Sequence, residues 1–412
     1  SGAAPSPEVS MPVLPHRLTG VDAARGVALL GLAAVHVTDP ATAAGHPDPL
    51  HLVFSGGAAA LFVTLAGVGL ALAAGGPEPV PATAAAVLRR RTLRRAGVLF
   101  VLGLVCGALG TPVAVILCHY ALLFLLALPL LRLRGGALAA LAGAWLVLGP
   151  VLIFGLRAAG QALLGREEFL QGARLWTSPA PTDLATPALL LTDLLVTGYY
   201  PVLSWGAFLV AGLAIGRLDL RAPRTAALLA VGGVGAGAAA LGVGAAVRGA
   251  DGVVARIAAA TGAAPEELAT TLLTGEHRLA WLIPDPLWLA LATPHGGSPL
   301  EAVRALGWAV AMLGLCLLLS RRRGRAPGTG VLPGIGRLSL TLYVGHLVLL
   351  AALGALGVPF RGLDATAVLW ALFLAAGWAA ARTGADGPLE TGMRRLARRG
   401  EDARPGVAPG PR

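Results

Sequence analysis

Eight stretches of this chain run for 16 to 36 residues without one Asp, Glu or Arg. Runs of about 18 or more apolar residues read as helices that cross a bilayer, because hydrocarbon admits only segments that satisfy their own backbone hydrogen bonds. The runs are Leu52–Pro77, Ala96–Leu131, Gly135–Leu156, Leu194–Gly216, Thr225–Val247, Ala305–Ser320, Leu338–Phe360 and Ala365–Ala381. Charged residues make up 13% of the 412 positions and hydrophobic ones 56%, against roughly 25% charged in soluble domains. A soluble fold is excluded, since so few polar groups cannot cover a surface. Disorder is excluded because it needs low hydrophobicity.

The 36-residue run Ala96–Leu131 exceeds one span, and Gly110-Thr111-Pro112 divides it. A shorter apolar block, Gly26–Thr38, extends backward through Arg25 and Asp22 to make the first span. The expected fold is therefore all-α, a polytopic transmembrane helical bundle of about ten spans. Arginine placement orients it, since loops on the cytoplasmic side are enriched in basic residues. With the N- and C-termini cytoplasmic, 24 of the 32 basic residues fall inside and eight outside. All 32 are Arg, and neither Lys nor Asn occurs. That bias suits a GC-rich bacterial genome, so the expected location is the cytoplasmic (inner) membrane, multi-pass.

The +11 net charge thus reflects orientation, and no nucleic-acid partner is expected. Residues 1–16, rich in Pro and Ser and without a basic start before an apolar core, read as a flexible leader rather than a signal peptide. Residues 383–412 read as a basic cytoplasmic tail. In the longest outer segment, Pro265-Glu266-Glu267-Leu268 marks a helix start, with Leu268, Leu272 and Leu273 on the apolar face. Cys106, Cys118 and Cys316 lie in apolar runs with no metal-ligand spacing, so neither a metal nor a disulfide framework is expected.

Ionisable groups at membrane depth are costly and point to function. Asp22 and Arg25 share a helical face, and Thr19 with Asp22 fits a capping box; the alternatives are a seated helix end or a cytoplasmic ligand site. His36, His46 and His51, with Asp39 and Asp48, crowd one outer segment, a candidate for acid–base or nucleophilic work beside the plainer reading of a solvated loop. Pro47 and Pro49 prevent a helical metal pair between His46 and His51. His119 and His346 are candidates for a substrate path or simple interhelical bonds. Gly198-Tyr199-Tyr200-Pro201 breaks the sixth span where a cavity would tolerate it, and His295 sits in a turn-rich outer segment. Arg89, Arg90, Arg91, Arg94 and Arg95 enter the third span either as topology signals or as a phosphate clamp for a ligand such as coenzyme A. Gly67/Gly69 and Gly232/Gly233/Gly235/Gly237 suit close helix packing.

The stretch Arg17 to Leu30, with Asp22-Ala23-Ala24-Arg25-Gly26, resembles the opening helix of bacterial YeiB-like membrane proteins and of heparan-α-glucosaminide N-acetyltransferase. Leu61 to Gly67 resembles their second span. Thr197 to Pro201, Gly212 to Arg217, Pro294 to Pro299 and Gly336 to Tyr343 extend the YeiB-like resemblance along the chain. The resemblance implies that 17–382 is a transmembrane acyltransferase-like domain. It implies acetyl-CoA or another acyl-CoA as co-substrate; the cytoplasmic-side candidates to hold it are Asp22 and Arg25, which match the family's motif, together with Arg89, Arg90 and Arg94 of the basic cluster. An outer histidine between the first two spans would pass the acyl group to an acceptor, a sugar, lipid or small metabolite. His46 takes that position by its spacing before Gly67, with His51 and His36 as alternatives because the family's run after the histidine is replaced by Pro47 to His51. His119, Tyr199, Tyr200, His295 and His346 would line the path. Membrane lipid is an expected partner, and a homodimer is compatible with these features. A small-molecule transporter or exporter, or a membrane scaffold, is the competing class.

Overall fold

The computed structural model describes residues 17–42, 44–78, 82–172, 177–262, 264–275, 285–322 and 330–398. The leader 1–16 and the end of the tail, 399–412, lie outside them. Of the described residues 79% are helical, and there is no strand among them.

Each apolar segment of the sequence folds as helix. The first span is α1 (Thr19–Val37) and the second is α2 (Pro49–Phe54) followed by α3 (Gly57–Ala73). The divided run becomes α4 (Ala82–Gly107) and α5 (Leu117–Leu130), then α6 (Gly135–Leu164). Short helices α7 (Arg166–Gly172) and α8 (Pro187–Thr192) precede α9 (Val202–Ile215) and α10 (Pro223–Gly249). The long connection carries α11 (Val253–Thr261) and α12 (Pro265–Thr274). The last helices are α13 (Pro299–Arg322), α14 (Val331–Arg337), α15 (Ser339–Ala355), α16 (Gly362–Thr383) and α17 (Pro388–Arg398). Among the described residues six helices are long and apolar enough to cross a membrane, and up to eight spans result if two bent pairs each count as one. One bent pair joins α8 and the turn after it to α9 at 57°, the break expected at Gly198–Pro201; the other joins α14 to α15 at 78°. Of the ten expected spans, α4 and α5 fall outside that set. The first carries Arg89 to Arg95, and the second has 14 residues.

The core is built by close approach of small residues rather than by bulk. On α1, Ala24, Ala28, Ala33 and Ala34 are fully buried, and the helix packs against α3, α13, α14 and α16. Gly212 of α9 meets Gly67 of α3 backbone to backbone: a Cβ at 212 would stand 3.0 Å from the Gly67 Cα. Gly233 and Gly237 of α10 face Gly307 of α13, whereas Gly232 and Gly235 face open space, so only half of that glycine run serves packing. In bilayers such contact replaces the hydrophobic driving force. The outside is correspondingly apolar: Val231 and Val234 on α10, Leu148 on α6 and Leu372 on α16 are all exposed. A water-soluble protein would not present such a belt.

Contacts sort the helix ends into two sets. At one end Arg217 reaches the carbonyls of Ala74 (3.2 Å), Gly76 (2.7 Å) and Leu131, joining the last turns of α3, α5 and α9. Arg321 bonds Leu220 (3.0 Å), and Arg94 bonds the Ala397 carbonyl (3.2 Å). At the opposite end Thr270 of α12 bonds the Gly45 carbonyl (3.0 Å), and Arg361 pairs with Asp39 (3.4 Å). The arginine-rich and histidine-rich ends are thus the two sets the sequence separates. On α12, Leu268 and Leu272 are buried under Trp288 as expected. Leu273 turns outward instead.

The capping box expected at Thr19 is not formed. Leu18 holds the cap position and Thr19 is the first helical residue. Asp22 instead turns into the bundle, between Arg17 and Arg25 (2.9 Å), because two cations offset a buried carboxylate better than backbone amides do.

Within the basic tail, α17 docks on the arginine-rich end. Glu390 accepts bonds from Leu340 N (2.7 Å), Thr341 N (3.1 Å) and Thr341 Oγ1 (2.6 Å), so it caps α15 from outside that helix. Asp386 pairs with Arg17 (3.2 Å), Arg337 (3.1 Å) and Arg394 (2.6 Å). Burial pushes the Asp386 carboxyl up, but hydrogen bonds from Arg394 and Arg337 and the charges of Arg394 and Arg17 outweigh it, holding the group below the ordinary carboxylate range. A depressed carboxyl stabilises fully above the unfolded value of about 3.9 and loses that contribution as pH falls through the lower folded value. Docking of α17 is therefore expected to be constant across neutral pH. Asp386→Asn should accelerate hydrogen exchange in residues 388–398 at pH 7, while unchanged exchange would show that Glu390 alone holds the helix.

Candidate functional site

The histidine-rich end of α1 gathers three of the candidate histidines. His36 lies on the last turn of α1 and meets His346 of α15, Nδ1 to Nε2 at 3.0 Å, with near-parallel rings. His346 is buried, with Tyr343 edge-on at 5.3 Å and Phe373 at 6.3 Å. Tyr343 in turn accepts the Ile116 amide at the start of α5 (3.3 Å). One proton sits between the two imidazoles, so one ring donates and the other accepts.

His51 enters from the short helix α2. Asp48 caps that helix, accepting from Leu50 N (2.9 Å) and His51 N (3.1 Å), and Pro49 starts it. The buried His51 ring then places Nε2 3.2 Å from the Thr38 carbonyl. A carbonyl only accepts, so Nε2 carries the proton and Nδ1 of neutral His51 keeps its lone pair. A base or nucleophile oriented by a third group is the general arrangement for acyl transfer.

His46 does not join them. Its residue is exposed in a loop closed by an Ala41/Pro47 bridge, with Thr42 N on its carbonyl (2.8 Å) and its own amide on Thr42 Oγ1 (3.2 Å).

A second buried group lies beside the broken span. His119 and Asp193 are both fully buried, and a Cβ at Gly198 would stand 2.7 Å from Asp193 Oδ1 and 3.0 Å from His119 Nε2. Only glycine fits between them. Tyr200 lies edge-on to His119 at 5.7 Å and 6.5 Å from Tyr199. The turn Asp193–Thr197 is π-helical, a local widening that recurs at functional sites. His295 has φ +59°, uncommon for a non-glycine residue, and its backbone N–H bonds the Glu301 carboxylate.

At the arginine-rich end, Arg25 lies against α3, where a Cβ at Gly69 would stand 3.0 Å from its Nη2. Arg95 sits over the Phe124 ring at 5.4 Å, Arg94 is held by α17, and Arg89 and Arg90 are exposed. Among the described residues no three His, Cys, Asp or Glu side chains assemble as metal ligands.

Sequence reading missed Asp193, Glu301 and Arg304. Glu301 and Arg304 are buried in the first turns of α13, 3.8 Å apart. Uncharged-run counting trims a span at its first charge, so charges folded into a helix end fall outside it. Acidic residues inside an otherwise apolar helix start are the signal that would have found them.

Comparison with known proteins agrees with one of the expected resemblances. The family model described as heparan-alpha-glucosaminide N-acetyltransferase, catalytic, matches residues 17–242, from the start of α1 into α10. The match includes His36, His51, His119 and Asp193 and stops short of His295, Glu301 and His346. No curated protein and no solved structure matches the chain.

Proposed function

Because the chain belongs to the heparan-α-glucosaminide N-acetyltransferase catalytic family, we propose that it is an integral membrane acyltransferase. It passes an acyl group, acetyl by the family's name, from cytoplasmic acyl-CoA to an acceptor reached from the outer side. The arginine-rich end is the cytoplasmic one and the bundle has ten spans, α4 and α5 included. The observation that carries this reading is the His36–His346 contact, with His51 oriented by the Thr38 carbonyl at the same end of α1, opposite the arginines.

The chemistry balances without a further reactant. The thioester C–S bond breaks and a bond from the acyl carbon to the acceptor oxygen or nitrogen forms. The acceptor's proton passes to an imidazole, and the coenzyme A thiolate takes up one proton to leave as the thiol. The same residues serve direct transfer and transfer through an acyl-histidine. Arg25, with Arg89 and Arg90 at the mouth, supplies cations for the donor's phosphates.

The donor is tested by titrating the purified protein in nanodiscs with acetyl-CoA and following binding and thiol release. Absence of both at millimolar concentration would remove the transferase reading. Topology is tested in cells with an impermeant maleimide, the three native cysteines being buried. His46→Cys should label in intact cells and Arg395→Cys only after permeabilisation; the reverse pattern inverts the orientation. The two bent spans favour a transporter as the second reading, since broken helices line transport sites. Substrate flux without acyl-CoA would establish it.

A further inference from the structure

The tail helix α17 and the turn before it sort their charges by direction. Residues 383–398 hold two acids, Asp386 and Glu390, and three arginines, Arg394, Arg395 and Arg398. Both acids turn toward the bundle: Asp386 pairs with Arg17, Arg337 and Arg394, and Glu390 caps α15. Met393 and Ala397 are buried and Leu389 is half-buried, one line of residues four apart that faces the span ends. Arg395 and Arg398 lie exposed on the rest of the helix, and neither pairs with an acid among the described residues. A surface that faces only water mixes both signs of charge, so a face of one sign calls for an anionic partner.

The neighbours of α17 put that face at the level of lipid headgroups. At its first turn Glu390 bonds Thr341 of α15, and at its last the Ala397 carbonyl takes Arg94 of α4. Arg94 is followed by Arg95, the last charge of α4, and then by the uncharged stretch Ala96–Gly107. Thr341 is the third residue of α15. The tail helix therefore bridges the points where two spans leave the hydrocarbon, and it lies across the end of the bundle. The span just before it, α16, ends with Trp378 on its exposed side and the Arg382 guanidinium 5.1 Å over the ring. Trp and Arg at a span end mark the interface. Leu396, exposed between Arg395 and Arg398 in sequence, suits an interface better than bulk water.

We propose that the exposed face of α17 binds anionic phospholipid, with Arg395 and Arg398 on headgroup phosphates and Leu396 against the first methylenes. Charge selects that occupant over a neutral lipid, and the headgroup level selects it over a soluble anion. The contact is independent of the transfer chemistry. Lipid holds the tail helix from outside while Asp386 and Glu390 hold it from within, so membrane composition sets how firmly α17 stays on the ends of α4 and α15.

Hydrogen exchange in residues 388–398 tests it, on the full chain in nanodiscs of phosphatidylcholine alone or with about one-third phosphatidylglycerol. Each basic residue near such a surface strengthens the attraction severalfold, so exchange should slow about tenfold in the anionic discs. Near 1 M salt, where the screening length falls to about 3 Å, the rate should return to that in neutral discs. The double variant Arg395→Gln/Arg398→Gln should lose the slowing. Its exchange in neutral discs should match the native chain, which checks that α17 is still folded and docked. Equal rates in both discs, slowing confined to residues 82–95 of α4, or slowing that survives the double variant would each overturn the proposal. The same protection from millimolar inorganic phosphate in neutral discs would overturn it too, by making the face a site for a soluble anion. Thiol release from acetyl-CoA reports on the transferase reading separately, so the two fail independently.

Discussion

His51→Ala and His36→Ala are each expected to slow thiol release from acetyl-CoA by about 10²- to 10⁴-fold, the range for a lost acid–base or nucleophilic histidine. Expression and unfolding temperature should hold, since neither ring fills the centre of the core. The asymmetry with His46 makes the experiment decisive. Its residue is exposed in a loop 3.2 Å from Thr42 Oγ1 by its amide, so His46→Ala should stay within a few-fold of wild type. If His46→Ala abolishes turnover while His51→Ala leaves it intact, the chemistry lies in the loop and the buried cluster is structural. His346→Gln is an informative companion. It keeps a hydrogen-bonding group for His36 Nδ1 across the 3.0 Å contact but cannot exchange a proton with it as an imidazole does. A larger loss than His46→Ala would assign the pair a part in moving the proton.

The largest effect on stability is expected at Arg217. Its guanidinium bonds three carbonyls at the ends of two helices other than its own, and the residue is buried. Hydrogen bonds to a charged group are worth about 1.5–3 kcal/mol each, and removal leaves the acceptors unpaired. Arg217→Met should therefore cost about 3 kcal/mol or more and lower the unfolding temperature in detergent by several degrees. Arg217→Lys should rescue little, because one ammonium cannot span the Ala74, Gly76 and Leu131 carbonyls as a planar fork does. Full rescue by Lys would show that charge alone, not the three-way geometry, holds the ends together.

Much of this architecture is legible along the chain because the bilayer imposes a one-dimensional rule. Every apolar run forms helix, Gly110 to Pro112 falls between two helices, and Gly198 to Pro201 breaks one. The Pro265 helix begins at its first signal residue. Misses cluster at helix ends. Thr19 looked like a cap, yet Asp22 found better partners in Arg17 and Arg25. Arg94, in the basic run before the third span, also bonds the α17 backbone. Glu301 and Arg304 lie outside every apolar run because a charge ends such a run in sequence but not in space. In each case a long polar side chain has several partners within reach, and the choice depends on what the neighbouring helices present.

The sequence by itself determined that this is an all-α membrane protein with two chemically distinct ends, since the cost of charge and unpaired backbone in hydrocarbon leaves no other arrangement. It also placed His36, His46 and His51 near one another. Only the tertiary structure decided which of them meet. His36 and His346 are 310 residues apart, and their contact depends on the rotation of α1 and α15 about their axes, set by small-residue packing that no local pattern encodes. The burial of His51 and the exposure of His46 have the same origin. Asp48 and Pro49 start a helix that turns one ring under the bundle, and the loop before it leaves the other ring outside.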